Sequence, residues 1–211
     1  MHKLFSRPGW GSVIVEAQLA WYGLPYETED IADVFKSAQE RERIARYNPV
    51  AQNPVLICPD GLVMTESAAI TFYLADVAKS DDLVPGPGQP GRERFLRWLI
   101  FIIANVYPTF TYADDPARFV PGEEAQKAFR ANVDAYAKKM WGILENEIGA
   151  DGPWFLGERF SAIDIYIGAM TRWRPGPEWF SANTPSLFRI GDATRSLENI
   201  GPIWRRNFFA S

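Results

Sequence analysis

The chain has 211 residues, 47% of them hydrophobic and 23% charged, which excludes a disordered or collagen-like protein. Lysine and arginine total 22 against 26 aspartate and glutamate residues, and the net charge of −4 argues against a non-specific nucleic-acid or anionic-membrane surface. With one histidine, His2, and one cysteine, Cys58, the chain cannot assemble a His/Cys zinc site or an intrachain disulfide. The only imidazole lies beside the N-terminus, so we do not expect a histidine-assisted nucleophile.

The first helix is predicted to follow a short strand and a loop. The segment His2 to Ser6 predicts a strand, and Pro8 beside two glycines predicts a loop over residues 7–11. Ser12 offers a helix N-cap, and the apolar run from Val13 to Tyr22 predicts a helix that is buried on much of its surface. Gly23 ends this helix.

The following segments complete a β-α-β-α-β-β-α order. Residues 26–31 predict a second, more polar strand, and the charged residues 35–47 predict an exposed helix. The runs 55–58 and 62–65 flank a Pro-Asp-Gly turn and predict a hairpin. Glu66-Ser67 then opens a third helix with an apolar stripe.

A proline- and glycine-rich segment, residues 79–91, separates this part from a helical remainder. Its composition predicts a linker with few residues able to anchor a core. We therefore expect an α/β domain over residues 1–78 and an all-helical bundle domain over residues 92–211. Within the second domain, helices are predicted at residues 92–110, 123–148, 161–172 and 185–197.

Asn53-Pro54, directly before the hairpin, is the first candidate binding element. Most X-Pro bonds are trans and only shape a turn. If this bond is cis, the backbone N–H and C=O of Asn53 face outward and can pair with an extended peptide as a neighbouring strand would.

Glu66 and Ser67, at the other end of the hairpin, have two interpretations. They could be an ordinary helix start, with Ser67 capping backbone donors and Glu66 near the positive end of the helix dipole. Alternatively, the helix N–H groups and the Ser67 hydroxyl bind a carboxylate while Glu66 binds an ammonium. The second interpretation predicts recognition of an amino-acid zwitterion.

These motifs resemble those of the glutathione transferase superfamily. The matching segments of the first half are Asn48-Pro49 to Asn53-Pro54, Asp60-Gly61, Thr65 to Ile70 and Tyr73-Leu74. In the second half, Phe160 to Asp164 is similar to the family's capping box with a hydrophobic staple. The resemblance covers essentially the whole chain and implies a thioredoxin-like domain followed by a helical domain, usually in a dimer.

The resemblance also implies a binding site for glutathione, used as a co-substrate without a metal. In the family, the residue before the cis-proline holds the cysteinyl backbone of glutathione, which implies Asn53 beside Pro54. The acidic-serine pair holds the γ-glutamyl end, which implies Glu66 and Ser67.

A basic residue commonly holds the glycine carboxylate in this family. Lys36 is our candidate, helped by Gln52 from the loop before the hairpin, with Arg41 and Arg43 as alternatives.

A glutathione enzyme imports its reactive sulfur, which fits a chain so poor in histidine and cysteine. The family activates the thiol with a Tyr, Ser or Cys near the end of the first strand or the start of the first helix. Tyr22, the first tyrosine, comes too late, and Gly11 stands where cysteine-type members carry their cysteine. Ser12 is therefore the catalytic candidate, with helix capping as its alternative role and Ser6 as an alternative residue.

The helical domain of the family roofs an apolar second site. Trp10, Tyr107, Phe110 and Tyr112 are the candidates to line it, with core packing as the alternative. Cys58 is predicted to be a buried structural thiol.

We therefore expect a transferase that adds the glutathione thiolate to an apolar electrophile, or uses it to reduce a peroxide or disulfide. The alternative is a non-catalytic member of the same fold that acts as a binding or regulatory module. A glutaredoxin-type mechanism is excluded because there is no N-terminal cysteine to form the mixed disulfide.

The sequence also bears on location and assembly. Its most apolar stretch, residues 98–104, is about a third of the length that spans a bilayer. The N-terminus lacks a basic segment followed by a hydrophobic signal core. We expect a cytoplasmic homodimer with no membrane or nucleic-acid partner.

Overall fold

A four-stranded mixed sheet occupies the first part of the chain in the computed structural model, which describes residues 1–149 and 152–209. The strands are β1 (His2–Ser6), β2 (Tyr26–Asp30), β3 (Val55–Ile57) and β4 (Val63–Met64), in the spatial order β2-β1-β3-β4. β1 is parallel to β2 and antiparallel to β3, so Leu4 pairs with Thr28 on one side and with Leu56 on the other. β3 and β4 form the predicted hairpin.

Helices make up most of the remaining structure. They are α1 (Ser12–Trp21), α2 (Ala38–Ala45), α3 (Ser67–Ala78), α4 (Arg92–Phe101), α5 (Tyr107–Asp114), α6 (Glu123–Glu145), α7 (Ala162–Met170), α8 (Pro177–Asn183), α9 (Pro185–Ala193) and α10 (Gly201–Phe208). The predicted fold class is confirmed, because a thioredoxin-like β-α-β-α-β-β-α unit precedes a helical part. None of the described helices has the length and apolar composition needed to cross a membrane.

α1 begins one residue earlier than predicted. Ser12 is its first helical residue, and Gly11 precedes it without any side-chain cap. The Ser12 hydroxyl instead accepts a hydrogen bond of 3.2 Å from the backbone N–H of Arg7. The prediction that Ser12 caps α1 is therefore wrong, since its hydroxyl closes the preceding loop.

α2 is shorter than the predicted helix over residues 35–47. The Asp33 carboxylate accepts a hydrogen bond from the N–H of Phe35 and holds that residue in a turn. The Ser37 hydroxyl accepts from the N–H of Glu40 at 3.2 Å and caps the helix there. The helix consequently begins at Ala38.

The predicted helix over residues 92–110 consists of α4, a π-helical turn at Ile102–Val106, and α5. Pro108 lies in the first turn of α5 and has no N–H, so it cannot continue the regular hydrogen-bond pattern of an α-helix. The N–H of Tyr107 bonds to the carbonyl of Ile102, five residues earlier. The chain therefore shifts register just before it reaches Tyr107.

Two helices, α8 and α10, were not predicted. Each has a proline in its first turn, Pro177 after Gly176 and Pro202 after Gly201. Proline is favoured at the first position of a helix, where its missing N–H costs nothing. That signal was present in the sequence.

The segment between α3 and α4 contains no helix or strand, yet it is anchored to the core. Leu83 and Val84 are buried, and the carbonyl of Leu83 accepts a hydrogen bond of 2.9 Å from the N–H of Ala162. The expectation of few anchoring residues is therefore wrong. The domain boundaries themselves remain predictions, and residues 150, 151, 210 and 211 of the proposed second domain lie outside the described residues.

The largest hydrophobic core is shared by the two parts of the chain. Val13, Ile14 and Ala17 on α1 belong to the same cluster of buried side chains as Trp98 on α4 and Ile163 on α7. This explains why α1 is apolar on nearly every side, because the sheet covers one face and helices of the second part cover another.

Candidate active site

A cavity of about 770 Å³ lies between the sheet and the second group of helices. One wall comes from the loop before α1, the segments before α2 and β3, and the start of α3. The opposite wall comes from α5 and the residues that follow α7. The predicted site residues that line it are Trp10, Lys36, Gln52, Asn53, Pro54, Glu66, Ser67, Tyr107, Phe110 and Tyr112.

Asn53 borders the cavity with unused hydrogen-bonding groups. Its peptide bond to Pro54 is cis. Among the described residues, neither its backbone N–H nor its carbonyl has a hydrogen-bond partner, and both side-chain polar atoms are buried without one. Because buried polar groups are seldom left unpaired, this pattern makes Asn53 a candidate ligand-binding position.

The loop that carries Asn53 is held from two sides. Within the loop, the Asn48 side-chain amide donates a 2.8 Å hydrogen bond to the carbonyl of Gln52. Towards the helices, the Gln52 side-chain amide contacts the hydroxyl of Thr111 on α5 at 3.4 Å. Gln52 therefore connects the two walls of the cavity.

Glu66 and Ser67 form the start of α3 and leave backbone donors free. Glu66 has φ 61° and ψ 103°, a conformation that is costly for a non-glycine residue and is concentrated at functional sites. Neither side chain caps the helix, and the N–H groups of Ser67 and Ala68 have no acceptor among the described residues. The capping interpretation of Ser67 is therefore wrong, and these donors are available to an anion.

Ser67 is supported from the protein interior by two hydroxyl groups. Thr71 donates a hydrogen bond of 2.9 Å to the carbonyl of Ser67, and its hydroxyl lies 3.3 Å from that of Tyr166. Burial raises the pKa of Tyr166 to about 12, against hydrogen bonds from Ser67 and Thr71 that lower it. Tyr166 therefore remains protonated at neutral pH and fixes the position of Ser67.

Two of the three proposed cations for the glycine carboxylate line the cavity. Lys36 is largely exposed, with its ammonium 3.9 Å from Asp33, and Arg41 donates through Nε to the carbonyl of Val34 at 3.0 Å. Arg43 lies outside the cavity lining, where it bonds to Glu29 and Glu40. The structure therefore brings Lys36 and Arg41, but not Arg43, to the site.

An aromatic cluster forms much of the wall on the helical side. Tyr107, Phe110 and Trp173 pack edge to face, with ring centroids 5.1 to 6.3 Å apart. Edge-to-face packing fixes ring orientation as well as burying apolar area. Trp10, on the opposite wall, packs against Phe35 with the ring centroids 5.6 Å apart.

The hydroxyl of Tyr107 reaches across the cavity to Gly11. Its oxygen occupies the place that a Cβ atom on Gly11 would need, and the carbonyl oxygen of Asn53 lies 3.1 Å from that same position. Gly11 must therefore lack a side chain for Tyr107 to adopt this position. Tyr107 has no hydrogen-bond partner for its hydroxyl among the described residues.

Other candidates with a hydroxyl, thiol or imidazole lie outside the cavity lining. Ser12 is fully buried, with its hydroxyl bonded to Arg7, and Ser6 is also buried. Cys58 is buried as predicted, and burial raises the pKa of its thiol. His2 is buried in β1. No three carboxylate, imidazole or thiol groups within residues 1–149 and 152–209 are arranged to hold a metal ion.

Sequence reasoning missed several cavity residues on the helical side. They are Ile103, Pro108, Thr111, Asp114, Arg118, Trp173 and Arg174. Arg174 is fixed by Asp114 at 2.8 Å and Asp134 at 2.9 Å. The available signal was the density of Trp and Arg around residues 172–174, but its relation to the first part of the chain depends on tertiary packing.

Comparison with known sequences points to one family. The family model described as glutathione S-transferase, N-terminal domain, matches residues 14–77. The chain is 36% identical over 207 residues to the uncharacterized GST-like protein YncG of Escherichia coli K12, with 98% of each chain covered. It is 29% identical to glutathione S-transferase GstA of Escherichia coli O157:H7, over 81% of each chain.

Solved structures agree in fold. A glutathione transferase homolog from Sulfitobacter with bound glutathione superposes with a TM-score of 0.86 at 21% identity, covering 99% of each chain. A glutathione transferase from Burkholderia graminis, with two glutathione molecules bound per subunit, gives a TM-score of 0.78 at 26% identity, covering 99% of this chain and 89% of that one.

Proposed function

Because the chain belongs to the glutathione S-transferase superfamily, we propose that it binds reduced glutathione in this cavity and transfers the thiolate to an electrophile. The observation that carries the proposal is the meeting of Asn53, Glu66 and Ser67 in one cavity, each with free hydrogen-bonding groups. These groups match the backbone, ammonium and carboxylate of an amino-acid-derived peptide.

Glutathione has a γ-glutamyl end, a cysteinyl centre and a glycine carboxylate. In our proposal, Asn53 pairs with the cysteinyl backbone through its N–H and C=O groups. Glu66 receives the γ-glutamyl ammonium, and the start of α3 with the Ser67 hydroxyl receives the adjacent carboxylate. Lys36 or Arg41 binds the glycine carboxylate, and Gln52 assists from the loop before β3.

The reaction requires ionisation of the glutathione thiol. A thiol with a pKa of about 8.5 is only a few per cent ionised at neutral pH, and lowering it by about two units requires roughly 2.7 kcal/mol of preferential anion stabilisation. A directed hydroxyl hydrogen bond and the N-terminus of a helix are of the right magnitude to supply this. The sulfur then attacks the electrophile, which binds against the aromatic cluster of Tyr107, Phe110 and Trp173.

Isothermal titration with reduced glutathione tests the proposal. We expect binding by the wild type, and an affinity loss of about tenfold or more for Glu66→Gln or Ser67→Ala, because each removes a partner of a charged group. Glu124→Gln is the matched control, since Glu124 also lies at the start of a helix but is exposed on α6. Absence of binding at millimolar glutathione would refute the proposal.

Disulfide reduction is a second candidate activity. It is favoured by the relative from Burkholderia graminis, whose subunit holds two glutathione molecules. The first glutathione thiolate would attack a disulfide sulfur and release one substrate thiolate. A second glutathione thiolate would attack the glutathione sulfur of the mixed disulfide, which forms glutathione disulfide and releases the second substrate thiolate. Assays with halide, peroxide and disulfide substrates separate these activities, and binding without any turnover would favour a non-catalytic module.

We also propose that the protein is a homodimer. Apolar side chains are exposed on β4, α3 and α4, namely Val63, Val77 and Ile100. Light scattering coupled to size-exclusion chromatography gives the mass in solution, and a mass of one chain would contradict this assembly.

A further inference from the structure

The Gly11 position combines three features that concern the reactive sulfur. It lies at the start of α1, where the backbone N–H groups of Gly11 and Ser12 have no acceptor within the described part of the chain. It lies beside the carbonyl of Asn53. Finally, the hydroxyl of Tyr107 occupies the space of the missing side chain.

The position of Asn53 restricts where the glutathione sulfur can lie. In the proposed function, Asn53 pairs with the cysteinyl backbone, and a cysteine sulfur is only two bonds from its own Cα. The sulfur must therefore lie close to the Asn53 backbone. The Tyr107 hydroxyl lies near the same position, because it and the Asn53 carbonyl oxygen both crowd the point where a Cβ atom on Gly11 would be, the carbonyl oxygen at 3.1 Å from that point.

The ring of Tyr107 is held in place by its surroundings. The π-helical turn Ile102–Val106 and Pro108 set the backbone of Tyr107 at the start of α5. The centroid of its ring lies 6.3 Å from that of Phe110 and 5.9 Å from that of Trp173. Trp173 is itself bonded to the carbonyl of Gly9, two residues before Gly11. A hydroxyl fixed in this way loses little freedom when it binds a ligand.

We propose that Tyr107 is the catalytic residue that stabilises the glutathione thiolate, donating a hydrogen bond from its hydroxyl to the sulfur. This inference rests on the proposed function and names the group that activates the thiol. The thiol proton passes to solvent, the tyrosine stays neutral, and the sulfur forms its new bond to the electrophile as the leaving group departs.

The protonation state of Tyr107 agrees with this role. Burial raises the pKa of Tyr107, and the nearby Tyr166 and Glu66 raise it further. The hydroxyl is therefore protonated at neutral pH, and it acts as a donor to the thiolate rather than as a base. Ser12, the candidate from the sequence, already directs its hydroxyl to the backbone of Arg7 and does not line the cavity.

The test measures the thiol pKa of bound glutathione from the ultraviolet absorption of the thiolate as pH is varied. For Tyr107→Phe we expect the thiol pKa to rise by about one to two units. Turnover at neutral pH should fall by about tenfold or more and recover at higher pH. The glutathione Kd measured at about pH 5, where the bound thiol is protonated in both proteins, should stay within about twofold. A merely structural role would not move the thiol pKa in this way.

Three further variants complete the experiment. Tyr47→Phe removes an exposed tyrosine hydroxyl outside the cavity lining and should leave the thiol pKa and turnover unchanged. Ser12→Ala tests the competing residue and should leave the thiol pKa unchanged. If Tyr107→Phe does not fold, Gly11→Ala provides a second test, because the added Cβ displaces the Tyr107 hydroxyl and should raise the thiol pKa.

The outcomes separate this inference from the proposed function. If the wild type does not bind glutathione, the proposed function fails and this inference fails with it. If the wild type binds glutathione and lowers its thiol pKa, but Tyr107→Phe leaves that pKa unchanged, only the assignment of Tyr107 is overturned. If the thiol pKa of bound glutathione rises in Ser12→Ala but not in Tyr107→Phe, Ser12 is the residue that stabilises the thiolate.

Discussion

The indole nitrogen of Trp173 donates a hydrogen bond of 2.6 Å to the carbonyl of Gly9, and thereby joins the segment after α7 to the loop before α1. The side-chain carbonyl of Asn207 accepts a hydrogen bond from the N–H of Gly9 at 3.2 Å. Both partners belong to the helical part of the chain. The loop that carries Trp10 and Gly11 is therefore positioned by residues that are distant in sequence.

Replacing Trp173 by Phe should weaken this connection while keeping an aromatic ring beside Tyr107 and Phe110. Loss of this partly buried hydrogen bond should cost about 1 kcal/mol in the free energy of unfolding. We also expect the glutathione Kd to rise a few-fold, because the loop before α1 becomes less fixed. Urea unfolding and calorimetric titration measure the two effects.

Trp179→Phe is the matched control for this change. Trp179 packs against Phe180, and its indole N–H has no partner within the described residues. The Trp179→Phe variant should change the free energy of unfolding through packing alone and leave glutathione affinity unchanged. An equal loss of affinity in both variants would contradict the role given to the Trp173 hydrogen bond.

The cation that meets the glycine carboxylate can be identified by substitution. Arg41→Gln should weaken glutathione binding by about three- to tenfold, and more than Lys36→Gln. Arg41 is already held by the carbonyl of Val34, whereas the Lys36 side chain is 85% exposed and loses more freedom on binding. Arg43→Gln should leave affinity unchanged, and a loss there equal to that of Arg41→Gln would reject this assignment.

Asp164 should make stability depend on pH. Burial raises its pKa to about 7, although the N–H groups of Phe155 and Ser161 and the Ser161 hydroxyl donate to it. Because this pKa exceeds that of the unfolded chain, the native state binds more protons between about pH 4 and about pH 7. The stabilisation is present below this interval and is lost as pH rises through it.

The comparison with Asp164→Asn isolates this contribution, because asparagine does not titrate but keeps a carbonyl acceptor. Urea unfolding at about pH 5 and about pH 8 should show the wild type losing stability relative to the variant as pH rises. If the free energies of unfolding of the two proteins differ by the same amount at both pH values, Asp164 has no raised pKa.

Cys58 should be dispensable for activity. It is buried in the hairpin, outside the cavity lining, and burial raises the pKa of its thiol. We expect slow alkylation of the native protein at neutral pH and unchanged glutathione-dependent turnover in Cys58→Ala. Rapid alkylation accompanied by loss of turnover would place this thiol in the reaction.

The parts of the site that are local in sequence were predictable. Asn53-Pro54 comes just before the hairpin and Glu66-Ser67 comes just after it. Because β3 and β4 pair, they bring these two motifs to the same cavity. Strand β1 was predicted with its observed bounds because the short segment His2–Ser6 is ended by a proline- and glycine-containing loop.

The arrangement of residues around the proposed position of the glutathione sulfur could not be predicted from local sequence patterns. Ser12 is a good hydroxyl candidate by position, but its side chain closes the loop to Arg7. The approach of Tyr107 to Gly11 depends on the π turn before α5 and on packing between the two parts of the chain. Neither the register shift in the π turn Ile102–Val106 nor the space left by Gly11 has a periodic signal in the sequence.

The burial of α1 in a core shared with α4 and α7 limits how this protein can change. Val13 and Ile14 follow the cavity residue Gly11 by two and three positions, so we expect repacking of α7 to shift the start of α1 as well. Under the proposed function, we therefore expect selectivity for the second substrate and affinity for the peptide co-substrate to be coupled. A variant library aimed at new electrophiles should include compensating positions on α1, because changes confined to the helical wall will also alter co-substrate binding.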